Sequence, residues 1–248
     1  MSCIEAVTFD LWFTLIAHDE YYDDRLRNAR TTGIRKALQK VGVEVRDDVI
    51  TRAFQDSEMT LQNVWSLNHD LDTPDQAKIL LRSIGIETSP EVVAAIETPY
   101  ANAVLEVEPY LVSGAIETLE ALQHAGNRLA LISNTGRTPG RAMRQIMRRL
   151  GILDFFEVTT FSNEVGYLKP DGRIFAETLR RLGVPPGNAV HVGDHQVLDV
   201  QGSKEHGMRC VHMTRYAPAC NGKYAPDRSI ESLRQLPEVI HRLKDGRP

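Results

Sequence analysis

Apolar and polar residues follow two different patterns along this chain. Residues 17–105 carry apolar side chains at helical spacing in four successive segments, which begin near Tyr22, Asp48, Thr73 and Ser89. Pro90 fits the first turn of the fourth segment, because its missing N–H would have no partner there. The pattern therefore predicts four consecutive helices, which we call the helical block.

Outside the helical block, short apolar runs alternate with amphipathic segments. The predicted strands are residues 4–9, 128–133, 156–160, 189–193 and 209–214, and the predicted helices are residues 112–124, 141–150, 171–183, 199–206 and 230–243. Such alternation is typical of βαβ units and a parallel sheet. We therefore expect an α/β fold: a doubly wound, Rossmann-like core of residues 1–16 and 106–248, with residues 17–105 inserted as an α-helical cap domain.

Composition narrows the class of protein. The chain has 248 residues, 42% hydrophobic and 25% charged, as ordinary globular proteins do, and its net charge of −4 argues against a nucleic-acid or membrane-surface partner. No apolar run is long enough to cross a bilayer, and no signal peptide is predicted at the N-terminus. Cys3, Cys210 and Cys220 have the spacing of neither a disulfide framework nor a zinc site, so we expect reduced thiols in a cytoplasmic protein.

Polar residues suited to one kind of chemistry follow the predicted strands. They are Asp10 and Thr14, then Ser133, Asn134 and Thr135, then Lys169, and finally Asp194 and Asp199. In an open parallel sheet the carboxyl ends of the strands meet at one edge, where ligands bind. Carboxylates can hold Mg²⁺ or attack phosphorus, while an ammonium and a hydroxyl compensate charge on transferring oxygens. The sequence therefore predicts magnesium-assisted phosphoryl transfer to an aspartate.

Four motifs carry a resemblance to a known family. F-D-L-W-F-T-L, L-I-S-N-T, G-Y-L-K-P-D-G-R-I-F and H-V-G-D-H-Q-V-L-D occur in the order found in the haloacid dehalogenase superfamily of hydrolases, in the branch with a helical cap after the first motif. The resemblance implies that Asp10 is the nucleophile and that Lys169 steadies it. It also implies phosphate contacts from Thr14, Ser133 and Asn134, with Thr135 and Trp12 beside them, and a Mg²⁺ site made by Asp10, Asp194, Asp199 and the backbone carbonyl of Trp12.

Trp12 departs from the family pattern. Family phosphatases carry a second aspartate at this position, which protonates the leaving alcohol and then activates water. Such help is worth about 10²–10⁴-fold in rate, and an indole N–H does not titrate usefully. Phe13 also replaces the family's usual glycine. The resemblance still favours a phosphatase for a small phosphorylated metabolite, either with a leaving group that needs little protonation or with His18 or His195 as a substitute acid.

Three other functions stay open. A 2-haloacid dehalogenase releases halide without a proton and carries an aromatic Tyr where Trp12 stands; Asp194 argues against it, because those enzymes work without metal. A phosphonate C–P hydrolase needs a cap lysine, but Lys36, Lys40 and Lys78 lie in ordinary amphipathic helices. The third alternative is a pseudo-enzyme that binds a phosphorylated ligand without turnover.

Other conspicuous residues have simpler interpretations. A stripe of arginines is predicted to be a solvated basic face rather than a patch that steers anions; it comprises Arg137, Arg141, Arg144 and Arg148. His191 is predicted to be a core residue, and Trp65 and Tyr100 to pack within the cap. Cap residues that face the site, including His18, Asp19 and Tyr22, are expected to set the specificity for a small-molecule substrate.

Overall fold

The computed structural model describes residues 4–217 and 221–244, so Cys3 and Cys220 lie outside the described residues. Cys210 is a buried free thiol. The strands of the described residues are β1 (Ala6–Phe9), β2 (Ile16–Ala17), β3 (Tyr110–Leu111), β4 (Arg128–Ser133), β5 (Val158–Phe161), β6 (Ala189–Gly193), β7 (Arg209–Met213) and β8 (Arg228–Ile230). The α-helices are α1 (Tyr22–Lys40), α2 (Asp47–Ser66), α3 (Thr73–Ile84), α4 (Pro90–Asn102), α5 (Ala115–His124), α6 (Gly140–Arg149), α7 (Ser162–Val165), α8 (Gly172–Leu182), α9 (Gly202–Glu205) and α10 (Leu236–Lys244).

The core is a six-stranded sheet in the order β5-β4-β1-β6-β7-β8, and its neighbouring strands pair in parallel. The chain runs outward from β1 to β4 and β5, then returns to build β6, β7 and β8 on the other side of β1. This is the strand order of a doubly wound α/β fold, in which ligands bind where the direction reverses. The predicted fold class is confirmed, and the reversal lies between β1 and β6.

Both faces of the sheet are covered, which explains why its strands are almost continuously apolar. Val7, Phe9 and Leu131 belong to one hydrophobic cluster, while Ala6 and Ala130 belong to another. Adjacent residues of β1 therefore point into different clusters, as the two-residue period of a strand requires.

The helical block has an apolar cluster of its own. Helices α1 to α4 supply its buried members, which are Ile34, Leu38, Ile50, Ala53, Phe54, Ala77, Leu80, Leu81, Val93, Ile96 and Tyr100. Helices α3 and α4 each begin at a capped turn, where the side chains of Asp72 and Ser89 accept hydrogen bonds from backbone N–H groups. The prediction that Tyr100 packs within the block is confirmed, since none of its surface is exposed.

A short antiparallel ladder joins the two points where the chain crosses between the core and the helical block. Ile16 pairs with Leu111, and Ala17 pairs with Tyr110. Two-residue strands show no periodicity, so the sequence pattern did not predict them. The block is therefore held to the core by two adjacent chain segments.

The end of the chain differs from the predicted helix over residues 230–243. That prediction is wrong at its start, because Ile230 closes β8 by pairing with Met213, and the helix begins only at Leu236. Ser232 and Gln235 form a capping box between the two elements. A shorter difference occurs after β6, where a wide π-helical segment, Gln196–Gln201, precedes α9.

Asp70 connects the helical block to the core. Its Oδ2 accepts hydrogen bonds from Thr135 Oγ1 (3.1 Å) and Ser162 Oγ (2.5 Å), which follow β4 and β5. Its Oδ1 accepts the indole N–H of Trp65 at 3.0 Å. Trp65 thus has a structural partner within the block, as predicted. Across the described residues, no helix has the combined length and apolar character that a membrane span requires.

Candidate active site

The reversal of strand order brings Asp10 and Asp194 to the same edge of the sheet. Asp10 follows β1 and Asp194 follows β6, and the N–H of Asp10 donates to the carbonyl of Val192 at 2.8 Å. Both carboxylates are almost fully buried, with 7% and 6% of their residue surface exposed. The two strand ends therefore place two charged groups where water is scarce.

Lys169 lies between two of the predicted site carboxylates. Its Nζ donates to Asp10 Oδ1 at 2.5 Å and to Asp199 Oδ1 at 2.6 Å. Asn134 fixes the lysine backbone from both sides, since its Oδ1 accepts the Lys169 N–H (2.8 Å) and its Nδ2 donates to the Lys169 carbonyl (3.0 Å). The motif residues Asn134 and Lys169 thus act as one unit that presents an ammonium to Asp10.

Asp199 is held from three directions. Besides Lys169, it accepts hydrogen bonds from His191 Nε2 (3.1 Å) and from the backbone N–H of His195 (3.0 Å). His191 in turn contacts Thr8 Oγ1 through Nδ1 at 2.8 Å. His191 has no exposed surface, which confirms it as a core residue. It is also a positioning residue for Asp199.

Gly193 permits this arrangement because a side chain there would collide with Asp199. A Cβ at Gly193 would lie 2.3 Å from Asp199 Cγ, far closer than atoms approach in proteins. The glycine at the end of β6 is therefore needed for close packing and not for an unusual backbone angle.

Burial and charge set the proton affinities of the site. Burial raises the pKa of Asp10 to about 6, against the opposing charge of Lys169. Burial, together with the charges of Asp10 and Asp199, raises the pKa of Asp194 to about 8. Burial alone would raise the pKa of Asp199, but Lys169 and His191 outweigh it and hold that pKa below its usual range. One ammonium is thus too little charge for three carboxylates.

The donor set fits a divalent cation. Asp10, Asp194 and Asp199 each offer a carboxylate oxygen, and these atoms all lie within 4.8 Å of one another. Among the backbone contacts of the described residues, the Trp12 carbonyl accepts no hydrogen bond, so it can serve as a further oxygen ligand. Clustered carboxylate and carbonyl oxygens suit Mg²⁺, whose charge would balance the excess of negative groups.

A cavity of about 180 Å³ lies over the carboxylates. Its walls are Asp10, Trp12, Phe13, Asn134, Lys169, Asp194, His195, Leu198 and Asp199. Among the predicted phosphate contacts, Thr14 and Ser133 do not line it; both are buried, and the Thr14 hydroxyl has no hydrogen-bond partner. Thr135 lines a neighbouring cavity and bonds to Asp70.

Trp12 and Phe13 form the wall between the cavity over Asp10 and the neighbouring one. The neighbouring cavity, of about 270 Å³, is lined by Trp12, Phe13, His18, Tyr22, Asp23, Leu26, Arg30, Thr135, Arg137 and Thr138. Phe13 has a φ of 58°, a left-handed conformation that explains why glycine is usual at this position. Asp19, in contrast, is exposed and pairs with Arg25, so it does not face the site.

The two candidate substitute acids differ in their hydrogen bonds. Nδ1 of His195 accepts from the backbone N–H groups of Val197 and Leu198 at 3.1 and 3.2 Å, so the ring proton is on Nε2. Burial also lowers the pKa of His195. Nδ1 of His18 lies 2.9 Å from the carbonyl of Asp19 and must donate to it, which leaves Nε2 to exchange protons. The hydrogen bonds favour His18 for proton transfer, whereas position favours His195, because His195 lines the cavity over Asp10 and His18 lines only the neighbouring one.

The ring of His18 packs against the wall formed by Trp12 and Phe13. Its ring stacks on Tyr22, with centroids 4.5 Å apart, and meets the edge of Trp12 at 5.8 Å. Trp12 and His18 come from the segment that joins β1 to α1, and Tyr22 is the first residue of α1. The prediction that His18 and Tyr22 face a site cavity thus matches their positions in the structure.

The arginine stripe is not one surface. Arg137 precedes α6, which begins at Gly140, and its side chain is only 10% exposed because it pairs with Glu58 of the helical block. Arg141 and Arg144 pair with Glu97 and Glu164. Arg137 does not share the helix face with the other arginines because it lies in the loop before α6. Since three of these arginines are paired with glutamates, little free positive charge remains to steer anions.

Two residues near the site were missed by sequence reasoning. Asp70 gave no signal, because its partners are distant in sequence. Arg30 did give a signal in the sequence. It lies at four-residue spacing on the same helix face as Tyr22, Leu26, Ile34 and Leu38, where an apolar residue is expected. A charged residue on a buried helix face needs an explanation from its partners.

Comparisons with known proteins find similar sequences and folds. A family profile described as haloacid dehalogenase-like hydrolase matches residues 4–207. The chain is 32% identical over 253 residues to the glyceraldehyde 3-phosphate phosphatase of Methanopyrus kandleri, covering 97% of this chain and 98% of that protein. It is 35% identical over 253 residues to the protein of the same name from Pyrococcus furiosus, covering 98% and 95%. The solved 2-haloacid dehalogenase from Pseudomonas syringae pv. Tomato DC3000 superposes with a TM-score of 0.72 at 25% identity, covering 97% of this chain and 99% of that chain.

The close approach of Gly193 and Asp199 gives a testable prediction. Replacing Gly193 with Ala should lower the free energy of unfolding by about 1–3 kcal/mol, the usual cost of overpacking a buried site. Gly187→Ala is the matched control, since a Cβ there meets nothing within 4 Å. Urea unfolding of both variants measures the difference, and equal stabilities would show that Asp199 moves aside without cost.

Proposed function

This chain belongs to the haloacid dehalogenase-like hydrolase family, and from that premise we propose that it is a magnesium-dependent phosphatase of a small phosphorylated metabolite, working through an aspartyl-phosphate on Asp10. The observation that carries the proposal is the cluster of Asp10, Asp194 and Asp199 around Lys169. Metal-capable carboxylates beside a buried nucleophile suit phosphoryl transfer, in which charge on the transferring oxygens must be neutralised. The two phosphatase relatives support the same reaction class.

The proposed first step uses the free oxygen of Asp10. Lys169 binds Oδ1, so Oδ2 attacks phosphorus; a bond forms between Oδ2 and phosphorus while the bond from phosphorus to the ester oxygen breaks. The ester oxygen leaves with the electron pair and takes up a proton. In the second step the oxygen of water attacks the same phosphorus and gives up a proton to solvent while the bond from phosphorus to Oδ2 breaks, which frees the Asp10 carboxylate and releases inorganic phosphate.

The surrounding residues divide the other roles. Lys169 keeps Asp10 ionised and oriented, and Asn134 keeps Lys169 in place. Bound by Asp10, Asp194, Asp199 and the Trp12 carbonyl, Mg²⁺ would neutralise the phosphoryl oxygens. Thr14, Ser133 and Thr135 are assigned to the phosphate side of the site by the family motif alone, since none of them lines the cavity over Asp10.

Residues 17–105 are proposed as the cap domain, with residues 1–16 and 106–248 as the catalytic core. The helical block contacts the core through Asp70, and His18 and Tyr22 at its start line the cavity that neighbours the one over Asp10. Exclusion of water by such a cover strengthens the electrostatic interactions inside.

A 2-haloacid dehalogenase is the second candidate, favoured by one observation. The solved dehalogenase named above superposes over nearly the whole chain, and Trp12 puts an aromatic ring beside the nucleophile. The buried Asp194 favours the phosphatase. It is the third carboxylate of the cluster with Asp10 and Asp199, and a metal-independent reaction has no use for it. None of Lys36, Lys40 and Lys78 lines either site cavity, which removes support for a phosphonate hydrolase.

Replacing Asp10 with Asn should abolish turnover, with a loss on the order of 10⁴-fold or more, because the nucleophile is removed. Asp19→Asn, which changes an exposed carboxylate, is the control. Rapid acid quenching of the wild type followed by peptide mass spectrometry should find the phosphoryl group on Asp10. Full activity of the Asp10→Asn enzyme would exclude the covalent mechanism.

Magnesium should raise the thermal unfolding temperature by several degrees, because a ligand at a hundredfold excess over its Kd stabilises by about 2.7 kcal/mol. Asp194→Asn should remove this shift, and Asp154→Asn, at an exposed site, should keep it. Excess chelator should stop phosphate release. Halide release from 2-haloacids that persists with chelator would instead support the dehalogenase, and saturable binding of phosphate esters without turnover would support a pseudo-enzyme.

His18 is proposed as the substitute acid, so its effect should depend on the leaving group. His18→Gln should slow hydrolysis of an alkyl phosphate by about 10²–10⁴-fold, and slow p-nitrophenyl phosphate far less, because nitrophenolate leaves without a proton. His195→Gln is the comparison variant and should show no such selectivity. A loss of equal size on both substrates would rule out acid catalysis by His18.

A further inference from the structure

The guanidinium of Arg30 is buried without a carboxylate partner. Only 5% of the residue surface is exposed. Nε donates to the carbonyl of Tyr100 at 2.8 Å, and Nη2 donates to Thr138 Oγ1 at 3.0 Å. Within residues 4–217 and 221–244, no Asp or Glu oxygen lies within ion-pair distance of it, and Nη1 makes no hydrogen bond.

Arg137 beside it shows what a satisfied buried arginine looks like here. Its Nε and Nη2 bind Glu58 Oε2 at 3.0 and 2.8 Å, and its Nη1 binds the hydroxyl of Tyr100 at 2.9 Å. The charge of Arg137 is thus neutralised by Glu58, whereas that of Arg30 is not. Buried charges are normally paired, because removing a charge from water is costly.

Tyr22 supplies a second donor that lacks an acceptor. The residue is 2% exposed, and its hydroxyl has no hydrogen-bond partner. Burial raises the pKa of this phenol, and the nearby charge of Arg30 opposes the rise. Burial likewise lowers the pKa of Arg30 to about 10, so the guanidinium still carries its charge at neutral pH. Two neighbouring donors that share no acceptor among the described residues can together bind an anion.

Both residues line the 270 Å³ cavity that neighbours the one over Asp10. This cavity shares Trp12 and Phe13 with the cavity over Asp10. A substrate with its phosphate on Asp10 would therefore extend past Trp12 towards Arg30. The other acidic groups nearby do not occupy the position, since Glu58 binds Arg137 and Asp23 is exposed.

We propose that Arg30 and Tyr22 bind a carboxylate of the substrate, so that the preferred substrates are small phosphate monoesters that also carry a carboxylic acid. This proposal rests on the phosphatase function and names its substrate class. One uncompensated positive charge matches one carboxylate, whereas a second phosphate would bring more charge than a single guanidinium balances. The phosphatase relatives are named for glyceraldehyde 3-phosphate, which has an aldehyde at the corresponding end; 3-phosphoglycerate has a carboxylate there.

Binding to the Asp10→Asn protein tests the proposal without turnover. Titration calorimetry should show that 3-phosphoglycerate binds at least about tenfold more tightly than glycerol 3-phosphate, as expected for a charge-assisted hydrogen bond. Adding Arg30→Gln should remove this preference, and adding Tyr22→Phe should reduce it. Arg27→Gln is the matched control, because it removes an exposed charge from the same helix.

A purely structural role for Arg30 predicts a different result. Arg30 ties α4 to the loop after β4 through Tyr100 and Thr138, so a loss of packing would weaken both ligands equally. Thr138→Val removes one of these ties but keeps the charge, and it should preserve the preference. Arg30→Lys keeps the charge if Arg30→Gln fails to fold, and it should retain part of the preference.

Kinetics separate this proposal from the phosphatase function. In the active enzyme, Arg30→Gln should raise KM for 3-phosphoglycerate about tenfold, with a smaller rise for Arg30→Lys, and neither variant should raise KM for glyceraldehyde 3-phosphate to the same extent. Equal binding of the acid and the alcohol, or equal losses on both substrates, would overturn the carboxylate site while leaving the phosphatase intact. Absence of phosphate release from every ester would refute the phosphatase, and the calorimetric preference would still decide whether the carboxylate site exists.

Discussion

One ammonium group holds this site together. Lys169 binds Asp10 and Asp199, and these carboxylates come from opposite halves of the sheet. Taking three such charges out of water is costly unless the geometry is maintained, and removing one partner leaves an uncompensated buried charge. Three features maintain these ion pairs. The reversal of strand order brings the carboxylates together, Asn134 binds the backbone of Lys169 on both sides, and Gly193 leaves room for Asp199 because it has no side chain. Asp194 then adds negative charge that the lysine does not balance, which is why the site suits a cation.

Helix α1 lines the cavity beyond Trp12 with its first half and packs in the apolar cluster of the helical block with its second half. Tyr22 and Arg30 line the cavity beyond Trp12, while Ile34 and Leu38 lie in the apolar cluster of the block. One face of α1 thus extends over about four turns from the cavity beyond Trp12 to the apolar cluster of the helical block. Because a helix is stiff over that length, the packing of the block fixes where the guanidinium of Arg30 stands relative to the nucleophile.

The sequence predicted what depends on local pattern and missed what depends on distant partners. Alternating strands and helices specify the parallel sheet, and motifs at strand ends located Asp10, Lys169 and Asp194. Strands β2, β3 and β8 are too short to show a period. The motif also predicted phosphate contacts from Thr14 and Ser133, but a motif gives a position along the chain and not the direction of a hydroxyl. Only tertiary contacts show that Arg30 has no carboxylate partner among the described residues and that Asp70 binds Thr135.

Trp12 changes the site in two ways that have one physical origin. An indole replaces a titratable group, and it also fills space as a wall shared by two cavities. The proposed proton donor, His18, lies on the far side of this wall, against the Trp12 ring. In the proposed binding mode, a group attached to the phosphate extends past the same wall towards Tyr22 and Arg30. If both proposals hold, proton transfer and recognition of a distant charge use different residues of one cavity, so evolution or design could change either the leaving group or the recognised charge without rebuilding the carboxylates around Lys169.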